Sequence, residues 1–331
     1  MIKGKTVLVT GASSGIGQAI AVACAKQEAV VLINYRNNLV GAKETLEQVK
    51  KYSKGEIFQA DLSKNDEVEK MFGEINNKGY KVLHGLVNNA GEYADGGFDD
   101  LDVWEDQFRN IFMSQVYVSN AFIKNGKSKN LRKIVNISSV YGISEMGNPD
   151  APQYSAAKAA VGSFTMNLAK RYGPNILVNA IAPGYVWTPP WEQTSKEELK
   201  ACEDLTKIGR FIKSEEIANM AIELLNNDAI TGEKNVLMAD FTLCALDKRT
   251  AKNFLGGFCH FERGSLKNHG FFAFLYLGSA ISHFLKLFVN NLLTLGVRTS
   301  SFFMGDHRPS VVFFIFPLTR KDTDFTATNT N

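Results

Sequence analysis

Tyr154 and Lys158 carry side chains that together can move a proton. They are four residues apart in a stretch, 153–172, whose pattern is typical of a helix, so both side chains project from one helical face. A free tyrosine has a pKa of about 10 and is a poor base at neutral pH. A neighbouring ammonium favours the phenolate and moves that pKa toward the working range. The pair could therefore exchange a proton with an alcohol oxygen; the alternative is one surface tyrosine and one solvated lysine.

Ser139 is the third candidate, because it follows a short apolar run at 133–138 that is typical of a buried strand. A hydroxyl at the end of that strand could hydrogen-bond the same alcohol oxygen. Ser138 stands beside it and could be mistaken for the reactive serine.

A glycine-rich segment, GASSGIG at 11–17, lies between an apolar run and a helical pattern. A helix N-terminus presents unpaired N–H groups and a partial positive charge, which suit a pyrophosphate. Gly11, Gly15 and Gly17 would let the backbone come close to such a group. Because the segment follows a predicted strand and opens a predicted helix, it indicates a dinucleotide site, whereas elsewhere it would indicate only a tight turn.

Alternating strands and helices must position these residues. Apolar runs of strand length occur at 5–10, 29–34, 57–60, 82–88, 133–138, 176–181 and 234–239. Helical patterns separate them at 18–27, 40–52, 65–77, 103–124, 153–172 and 214–226. The alternation predicts an α/β fold with a doubly wound parallel sheet of the Rossmann type, in which 234–239 is an edge strand.

Composition excludes several other classes of protein. The 331 residues are 45% hydrophobic and 21% charged, which is globular, and a net charge of +3 is too small to imply a nucleic-acid partner. The four cysteines show no CxxC spacing, so no metal site is expected. No secretory signal opens the chain, and a reduced, cytoplasmic setting fits best.

Five motifs over about residues 3–240 resemble the short-chain dehydrogenase/reductase family. They are TGASSGIG at 10–17, NNAG at 88–91, Asn110 six residues after Trp104, ISS at 137–139 with Tyr154 and Lys158, and the Pro183–Gly184 pair followed by Thr188. The resemblance implies a nicotinamide-dependent oxidoreductase with the fold predicted above.

The same resemblance implies a role for each catalytic residue. Tyr154 would be the acid/base, and Lys158 would lower its pKa and hold the nicotinamide ribose. Ser139 would orient the substrate oxygen, and Asn110 would position a water that feeds protons to Lys158. Alignment to the VYG that follows favours Ser139 over Ser138.

The resemblance also implies a set of cofactor contacts. Asp61 would contact the adenine, although a helix cap is nearly as good an interpretation of it. The full set is Gly11, Ser13, Ser14, Gly15, Ile16, Gly17, Tyr35, Arg36, Asp61, Leu62, Asn88, Ala90, Gly91, Tyr154, Lys158, Pro183, Gly184, Val186 and Thr188.

The residues after the second predicted strand bear on the choice of cofactor. NAD-dependent relatives carry an acidic residue where this chain has Tyr35, and Arg36 follows it. A guanidinium without a carboxylate beside it would receive a 2′-phosphate, so NADP(H) is favoured over NAD(H). The alternative is that Arg36 is an exposed loop charge.

Several short segments, including NYRN, LVNNAG and VNAIAPG, are most similar to those of 3-oxoacyl-acyl-carrier-protein reductases and the related glucose dehydrogenases. The resemblance implies reduction of a ketone to a secondary alcohol, with a 3-oxoacyl thioester as substrate. A glucose or other small-alcohol dehydrogenase is the alternative, followed by a non-catalytic nucleotide-binding regulator and a membrane-tethered lipid reductase.

An acyl carrier protein would be a possible partner, and because it is acidic it requires basic residues near the active-site mouth. We considered a basic cluster for this role, although a run of charges is usually a solvated face. It consists of Lys124, Lys127, Lys129, Arg132 and Lys133, with Lys170 and Arg171 at the end of the Tyr154 helix. In the substrate-loop region, 185–212, Trp187 and Trp191 could line an apolar pocket or pack the loop.

Two departures from the family pattern stand out. Asp240, Phe241 and Thr242 replace a usual Asp-Gly-Gly, which leaves the geometry of the expected homo-oligomer, a homotetramer, in question. Glu28 replaces a glycine common after the first helix, which could lower stability at that cap.

A change of composition near residue 246 divides the chain. Residues 247–331 hold 14 of the 23 Phe and have a net charge of +5, against −2 before them. We therefore predict one Rossmann domain at 1–246 and a Phe-rich extension at 247–331. Its apolar run at 271–289 contains His283 and Lys286, which disfavour a spanning helix. The extension could be a membrane anchor, a part packed on the enzyme, or sequence with no evolved fold, which the abrupt change favours.

Overall fold

The computed structural model describes residues 1–94, 96–126, 130–143, 146–206 and 208–237, together with three short strands at 273–275, 301–303 and 311–313. The chain divides into two compact units, Met1–Thr242 and Leu243–Asn331.

The first unit is built on a seven-stranded parallel sheet. Its strands are the predicted apolar runs, with ends shifted by up to three residues: β1 (Thr6–Val9), β2 (Val30–Tyr35), β3 (Gly55–Gln59), β4 (Gly85–Asn88), β5 (Arg132–Ile137), β6 (Ile176–Pro183) and β9 (Lys234–Leu237). Their order in the sheet is β3-β2-β1-β4-β5-β6-β9. In register, Val7 of β1 lies opposite Val31 of β2 and Gly85 of β4. β9 pairs with β6 at the sheet edge, as predicted.

Helices cover both faces of this sheet. They are α1 (Gly15–Lys26), α2 (Leu39–Lys50), α3 (Asn65–Asn77), α4 (Leu101–Gln107), α5 (Ser114–Lys124), α6 (Pro152–Tyr172), α7 (Lys196–Leu205) and α8 (Ser214–Asn226). One core contains Ile20 of α1, Ile33 of β2 and Leu224 of α8, and the other contains Met71 of α3 and Phe122 of α5. A parallel sheet buried on both faces is the doubly wound Rossmann-type fold that the sequence predicted.

The helix predicted at 103–124 is interrupted. A π-helical segment, Phe108–Met113, separates α4 from α5, and the Ser114 N–H bonds to the carbonyl oxygen of Arg109, five residues earlier. π-turns often mark functional sites, and this one contains Asn110.

The region 185–212 contains more regular structure than its sequence indicated. Strands β7 (Val186–Trp187) and β8 (Ile212–Lys213) pair in parallel, and α7 lies between them. The Ser195 hydroxyl accepts a hydrogen bond from the Glu198 N–H at 3.2 Å and so caps α7. Serine followed three residues later by glutamate is a helix-start signal that could have predicted this element.

The second unit contains a three-stranded antiparallel sheet in which Val311–Phe313 pairs with both Ala273–Leu275 and Ser301–Phe303. Three residues of the apolar run at 271–289 therefore form a strand. The rest of that run and the predicted boundary at 246/247 lie outside the described residues. Within the part of the chain that the structure describes, no helix has the length and hydrophobicity needed to cross a bilayer.

Candidate active site

Ser139, Tyr154 and Lys158 meet beyond the carboxyl end of β5. Ser139 follows that strand, and the other two residues lie in the first two turns of α6. The Ser139 side chain lies close enough to the Tyr154 hydroxyl to act on the pKa of the tyrosine. The Lys158 Nζ atom lies 5.6 Å from the centroid of the Tyr154 ring, and Lys158 is 4% exposed. The three predicted residues thus form one cluster, in which Ser139 and Lys158 are buried and Tyr154 is partly buried.

The two adjacent serines have different partners. Ser138 Oγ donates to the carbonyl oxygen of Lys158 at 2.9 Å. Ser139 Oγ accepts from the Tyr141 N–H at 3.2 Å and lies near Tyr154, whose pKa it acts to lower. Both serines lie just beyond β5, which ends at Ile137, and their hydroxyls have different partners. This geometry favours Ser139 as the residue beside Tyr154.

The pKa of Tyr154 differs from the expectation. Burial raises it to about 12, and the nearby Ser139 side chain only partly opposes that effect. Burial also lowers the pKa of Lys158 to about 8, and its ammonium donates to the Ile137 carbonyl oxygen at 3.0 Å. The expected net lowering of the tyrosine pKa is therefore not seen in this structure, where desolvation of Tyr154 is the largest effect.

Asn110 lies within the π-turn. Its carbonyl oxygen accepts a hydrogen bond from Ser114 Oγ at 2.7 Å, and Ile111, the next residue, is fully buried. A Cβ atom added to Gly91 would lie 3.4 Å from Ile111 Cγ1 and 3.8 Å from Lys158 Nζ. Gly91, the last residue of NNAG, therefore lies beside both Lys158 and Ile111, the residue that follows Asn110.

The glycine-rich turn is packed too closely for side chains. A Cβ atom added to Gly17 would lie 2.4 Å from the Gly11 carbonyl oxygen. Gly11 has a φ of +57°, and an added Cβ atom there would lie 2.9 Å from Ala90 Cα. These two positions therefore require glycine, as the motif predicted.

The start of α1 has the properties of an anion site. Ser14 is the N-cap residue, makes no side-chain cap hydrogen bond, and the first turn contains no acidic residue. The N–H groups around Ser13, Ile16 and Gly17 are thus not capped by the Ser14 side chain, and the helix dipole favours a phosphate there. The residues present fit a dinucleotide pyrophosphate at this helix end.

The two asparagines of NNAG do different things. Asn88 is 1% exposed, and its amide donates to Ser119 Oγ and Asn136 Oδ1, both at 2.9 Å. Its side chain thus ties the sheet to α5, and any cofactor contact would fall to its backbone. Asn89, which the sequence did not single out, donates to the carbonyl oxygens of Thr10 and Gly11, both at 3.0 Å. The asparagine that holds the glycine-rich turn is therefore Asn89.

A cleft beyond β2 and β3 holds the predicted adenosine-end residues. Arg36, Asn37, Gln59, Asp61, Lys64 and Glu67 line it. Asp61 Oδ1 accepts from the N–H and the hydroxyl of Ser63 at 3.1 and 2.7 Å. Asp61 and Ser63 thus form a turn that ends two residues before α3 begins, and Asp61 does not cap that helix. Burial acts to raise the pKa of Asp61, but these bonds and the Lys64 ammonium lower it. Tyr35 is 7% exposed, as is typical of core, and Leu62 is buried as well.

The PG…T segment lies against the glycine-rich turn. β6 ends at Pro183, Gly184 follows, and Val186 is buried in β7. A Cβ atom added to Gly15 would lie 3.2 Å from Thr188 Cγ2. The structure therefore brings all five motifs together at the carboxyl ends of β1, β4, β5 and β6, where ligands bind in open α/β sheets.

Aromatic side chains surround the catalytic cluster. The Tyr93 ring meets the Tyr154 ring edge-on at 5.1 Å between centroids, and the Tyr141 and Tyr185 hydroxyls are 2.9 Å apart. Trp187 and Trp191 both contact Phe211, at 5.5 and 4.9 Å between centroids. Of the two interpretations left open for these tryptophans, the contacts favour packing of the substrate loop.

The proposed basic cluster is wrong in two respects. Arg132 and Lys133 are 5% and 6% exposed. The Arg132 guanidinium stacks on Phe122 and donates to the carbonyl oxygens of Leu83, Ile123 and Phe122, while Lys133 Nζ pairs with Asp228 at 2.5 Å.

The positions of these residues are the second respect in which the basic cluster is wrong. Arg132 begins β5, whereas Ser139 follows its other end. Lys170 and Arg171 lie in the last turn of α6, about 24 Å along the helix from Tyr154 at 1.5 Å per residue. Lys124 ends α5, and Lys127 and Lys129 lie outside the described residues. The described members of the cluster therefore do not surround the active-site mouth.

Comparisons with known proteins agree with this site. A family model described as short chain dehydrogenase matches residues 5–199. The chain is 34% identical over 242 residues to the 3-oxoacyl-[acyl-carrier-protein] reductase FabG of Aquifex aeolicus, covering 70% of this chain and 95% of that protein. It is also 34% identical over 244 residues to glucose 1-dehydrogenase 2 of Bacillus subtilis, covering 70% and 92%.

Solved structures give the same result. The Pseudomonas aeruginosa RhlG/NADP active-site complex superposes with a TM-score of 0.67 at 28% identity, over 72% of this chain and 97% of that one. A single-residue variant of actinorhodin polyketide ketoreductase with NADPH superposes with a TM-score of 0.66 at 27% identity, over 72% and 97%. The chain therefore belongs to the short-chain dehydrogenase family, whose members are oxidoreductases that bind a nicotinamide cofactor.

Proposed function

We propose that the protein uses NADP(H) to reduce a ketone to a secondary alcohol, and that its substrate is a 3-oxoacyl thioester. The observation that carries the reaction type is the meeting of Ser139, Tyr154 and the buried Lys158 beyond the carboxyl end of β5, with the Lys158 Nζ atom 5.6 Å from the centroid of the Tyr154 ring. A similar reductase of Aquifex aeolicus and two similar structures with NADP or NADPH support the substrate and the cofactor.

In this proposal Ser139 holds the ketone oxygen through its hydroxyl, next to the Tyr154 hydroxyl. The nicotinamide cofactor supplies the hydride to the ketone carbon. Because its pKa is raised to about 12, Tyr154 is protonated at neutral pH and can donate its proton to the oxygen as negative charge develops there.

The proposed role of Lys158 follows from the same geometry. Its ammonium, held on the Ile137 carbonyl, attracts the phenolate that proton donation leaves on Tyr154. The same ammonium would hold the nicotinamide ribose. Asn110, fixed by the π-turn, would hold the water through which Tyr154 and Lys158 recover protons from solvent.

Arg36 is the proposed ligand of the NADP(H) 2′-phosphate. It follows the buried end of β2, its side chain is 46% exposed, and it lines the cleft that also contains Asp61. A guanidinium suits a phosphate because it offers planar, paired N–H donors. Leu62, Ala90 and Gly91 would complete the adenosine side of the site.

A glucose or other small-alcohol dehydrogenase is the second candidate. The similar glucose 1-dehydrogenase 2 of Bacillus subtilis favours it, and the same Ser139–Tyr154–Lys158 cluster would serve it. The two candidates differ in substrate, not in acid/base chemistry, so an assay must separate them.

We also propose a homo-oligomer in a reducing cytoplasmic compartment. Phe98 and Leu101 are 79% and 71% exposed, next to a row of aromatic rings that includes Trp104 and Phe108. An apolar surface of this kind is typical of an interface. Cys24 and Cys202, the described cysteines, are free thiols, which suits a reducing compartment.

The test follows nicotinamide absorbance with the full chain. Acetoacetyl-CoA with NADPH or NADH, and glucose with NADP+ or NAD+, are run in parallel on the wild type and on Tyr154→Phe. We expect NADPH oxidation with acetoacetyl-CoA, and a loss of at least about 100-fold in Tyr154→Phe with cofactor affinity retained, because the proton donor alone is removed.

Turnover of glucose without turnover of acetoacetyl-CoA would replace the first candidate with the second. Full activity in Tyr154→Phe would overturn the acid/base role in both. Faster turnover with NADH than with NADPH would overturn the cofactor assignment.

A further inference from the structure

We propose that Glu92 is a cofactor-specificity residue, whose carboxylate competes with the 2′-phosphate of NADP(H) for Arg36; this rests on the use of NADP(H) proposed above. The geometry behind it is an ion pair between Arg36 Nη2 and Glu92 Oε2 at 3.0 Å. The predicted phosphate ligand is therefore already paired with an anion of its own chain.

The pair connects two loops that flank the cofactor turn. Arg36 follows β2, and Glu92 comes just after the NNAG segment that follows β4. β2 and β4 lie on either side of β1, whose carboxyl end carries the glycine-rich turn. A cofactor on that turn passes between these loops. The ion pair consequently forms at the rim of the adenosine side of the site.

Both backbones at the pair are held in place. Gln59 Nε2 donates to the Arg36 carbonyl oxygen at 3.0 Å. Gln107 Nε2 donates to the Glu92 carbonyl oxygen at 3.1 Å, and Gln107 is 3% exposed. Glu92 is therefore fixed next to Arg36 by the buried start of the π-turn, so the carboxylate stays near the guanidinium even when the pair opens.

The other charges lining the cleft form a separate group. Lys64 pairs with Glu67 at 3.0 Å and with Asp61 at 3.5 Å. Its ammonium is therefore balanced by two carboxylates. Among the ion pairs of the described residues, Arg36 takes part in the one with Glu92 alone, so Glu92 determines how much of the guanidinium charge a phosphate meets.

The exposure of the pair makes it breakable. The Arg36 and Glu92 side chains are 46% and 76% exposed, and ion pairs of this kind are weak in water. A 2′-phosphate carries up to two negative charges and can displace the carboxylate, but its net binding energy is then reduced by that of the broken ion pair. NAD(H) has no such phosphate and leaves the pair intact. Glu92 therefore lowers affinity for NADP(H) and not for NAD(H).

The experiment measures the dissociation constants of NADPH and NADH by fluorescence titration of the full chain, without substrate. The variants are Glu92→Gln, Arg36→Ala, both together, and Glu47→Gln as the matched control. Glu47 is 71% exposed and paired with Lys50 at 3.2 Å near the end of α2, so its replacement removes the same charge from an exposed pair elsewhere.

We expect Glu92→Gln to tighten NADPH binding about three- to tenfold at low ionic strength, with less gain in high salt. NADH binding changes less than about twofold, because no phosphate meets the altered charge. Arg36→Ala weakens NADPH binding, and adding Glu92→Gln to it recovers little. Glu47→Gln leaves both constants unchanged.

Two failures are distinguishable. If Arg36→Ala weakens NADPH and NADH binding equally, Arg36 is not the ligand of the 2′-phosphate, and the proposed role of Glu92 is wrong as well. If Arg36→Ala acts on NADPH alone but Glu92→Gln tightens neither cofactor, or both alike, the NADP(H) assignment stands and the role of Glu92 is overturned. The same gain from Glu92→Gln in the Arg36→Ala background would also overturn it.

Discussion

The Ser138 hydroxyl donates a hydrogen bond to the main-chain carbonyl oxygen of Lys158 at 2.9 Å. This bond joins the end of β5 to α6, the helix that carries Tyr154. A Cβ atom added to Gly142 would lie 2.6 Å from the carbonyl carbon of Lys158, so the segment after Ser139 packs directly on the same helical turn. Ser138 thus positions the helix that carries Tyr154, whereas Ser139 is the proposed ligand of the substrate oxygen.

Replacing each of these serines by alanine should separate stability from catalysis. Ser138→Ala removes one buried hydrogen bond and should lower the free energy of unfolding by about 1 kcal/mol, with kcat reduced less than about tenfold. Ser139→Ala removes the proposed ligand of the substrate oxygen and should lower kcat by about 100-fold with little loss of stability. Urea unfolding and steady-state kinetics measure both. A larger kcat loss in Ser138→Ala would reverse the two roles.

Most of the strands and helices could be predicted because a parallel sheet buried on both faces needs nearly continuous apolar strands, and β1, β2 and β6 have them. The π-turn at Asn110 could not be predicted, because a one-residue change in hydrogen bonding hardly alters the apolar pattern of the helix. The motifs predicted that Tyr154 and Lys158 lie together because spacing on α6 fixes the relation between them.

What the sequence missed depends on long-range packing. Arg132 and Lys133 are charged residues and would be expected at the surface. In the fold both side chains are buried, where they donate to backbone carbonyl oxygens and Lys133 also pairs with Asp228. Asn88 and Asn89 are identical neighbours, and only the fold shows which of them holds the glycine-rich turn. The tyrosine pKa was misjudged because the extent of burial is a property of the folded site.

The pH dependence of ketone reduction should follow Lys158. Burial lowers its pKa from 10.5 to about 8, so the ammonium is present below pH 8 and is lost as the pH rises through that value. Tyr154, with a pKa of about 12, keeps its proton throughout this range. The kcat of reduction should therefore be level near neutrality and fall above pH 8, as stopped-flow or steady-state assays from about pH 6 to 10 would measure.

Lys158→Arg is the control for this profile. A guanidinium remains charged across the whole range, so the decline near pH 8 should disappear even though the overall rate is lower. A decline that persists in Lys158→Arg would assign it to a group other than Lys158.

Asn89 should matter more for cofactor affinity than Asn88. Asn89→Ala removes both hydrogen bonds to the Thr10 and Gly11 carbonyls, which should loosen the glycine-rich turn and weaken NADPH binding about tenfold, equivalent to about 1.4 kcal/mol. Asn88→Ala leaves the turn intact but removes two fully buried bonds, so it should lower the free energy of unfolding by about 2–3 kcal/mol with less effect on binding. Fluorescence titration and urea unfolding test the pair, and weaker NADPH binding in Asn88→Ala than in Asn89→Ala would contradict it.

Glu28 offers a site for stabilisation. It follows the last turn of α1 with a φ of +60°, and it is the only residue other than glycine with a positive φ among those the structure describes. A side chain in this left-handed conformation raises the free energy of the folded state by about 1–2 kcal/mol, and glycine avoids that penalty. Glu28→Gly also loses the ion pair with Lys3 at 2.8 Å, which is exposed and weak.

The net effect of Glu28→Gly should be an increase of about 0.5–1 kcal/mol in the free energy of unfolding, after the greater entropy of glycine in the unfolded chain is subtracted. Lys3→Ala is the matched control, because it removes the same ion pair without changing the backbone at Glu28, and it should shift stability by less than about 0.5 kcal/mol. Urea unfolding of the three proteins measures both values. If Glu28→Gly destabilises the protein as much as Lys3→Ala does or more, the backbone at Glu28 is not strained, and its replacement of glycine carries no penalty at the end of α1.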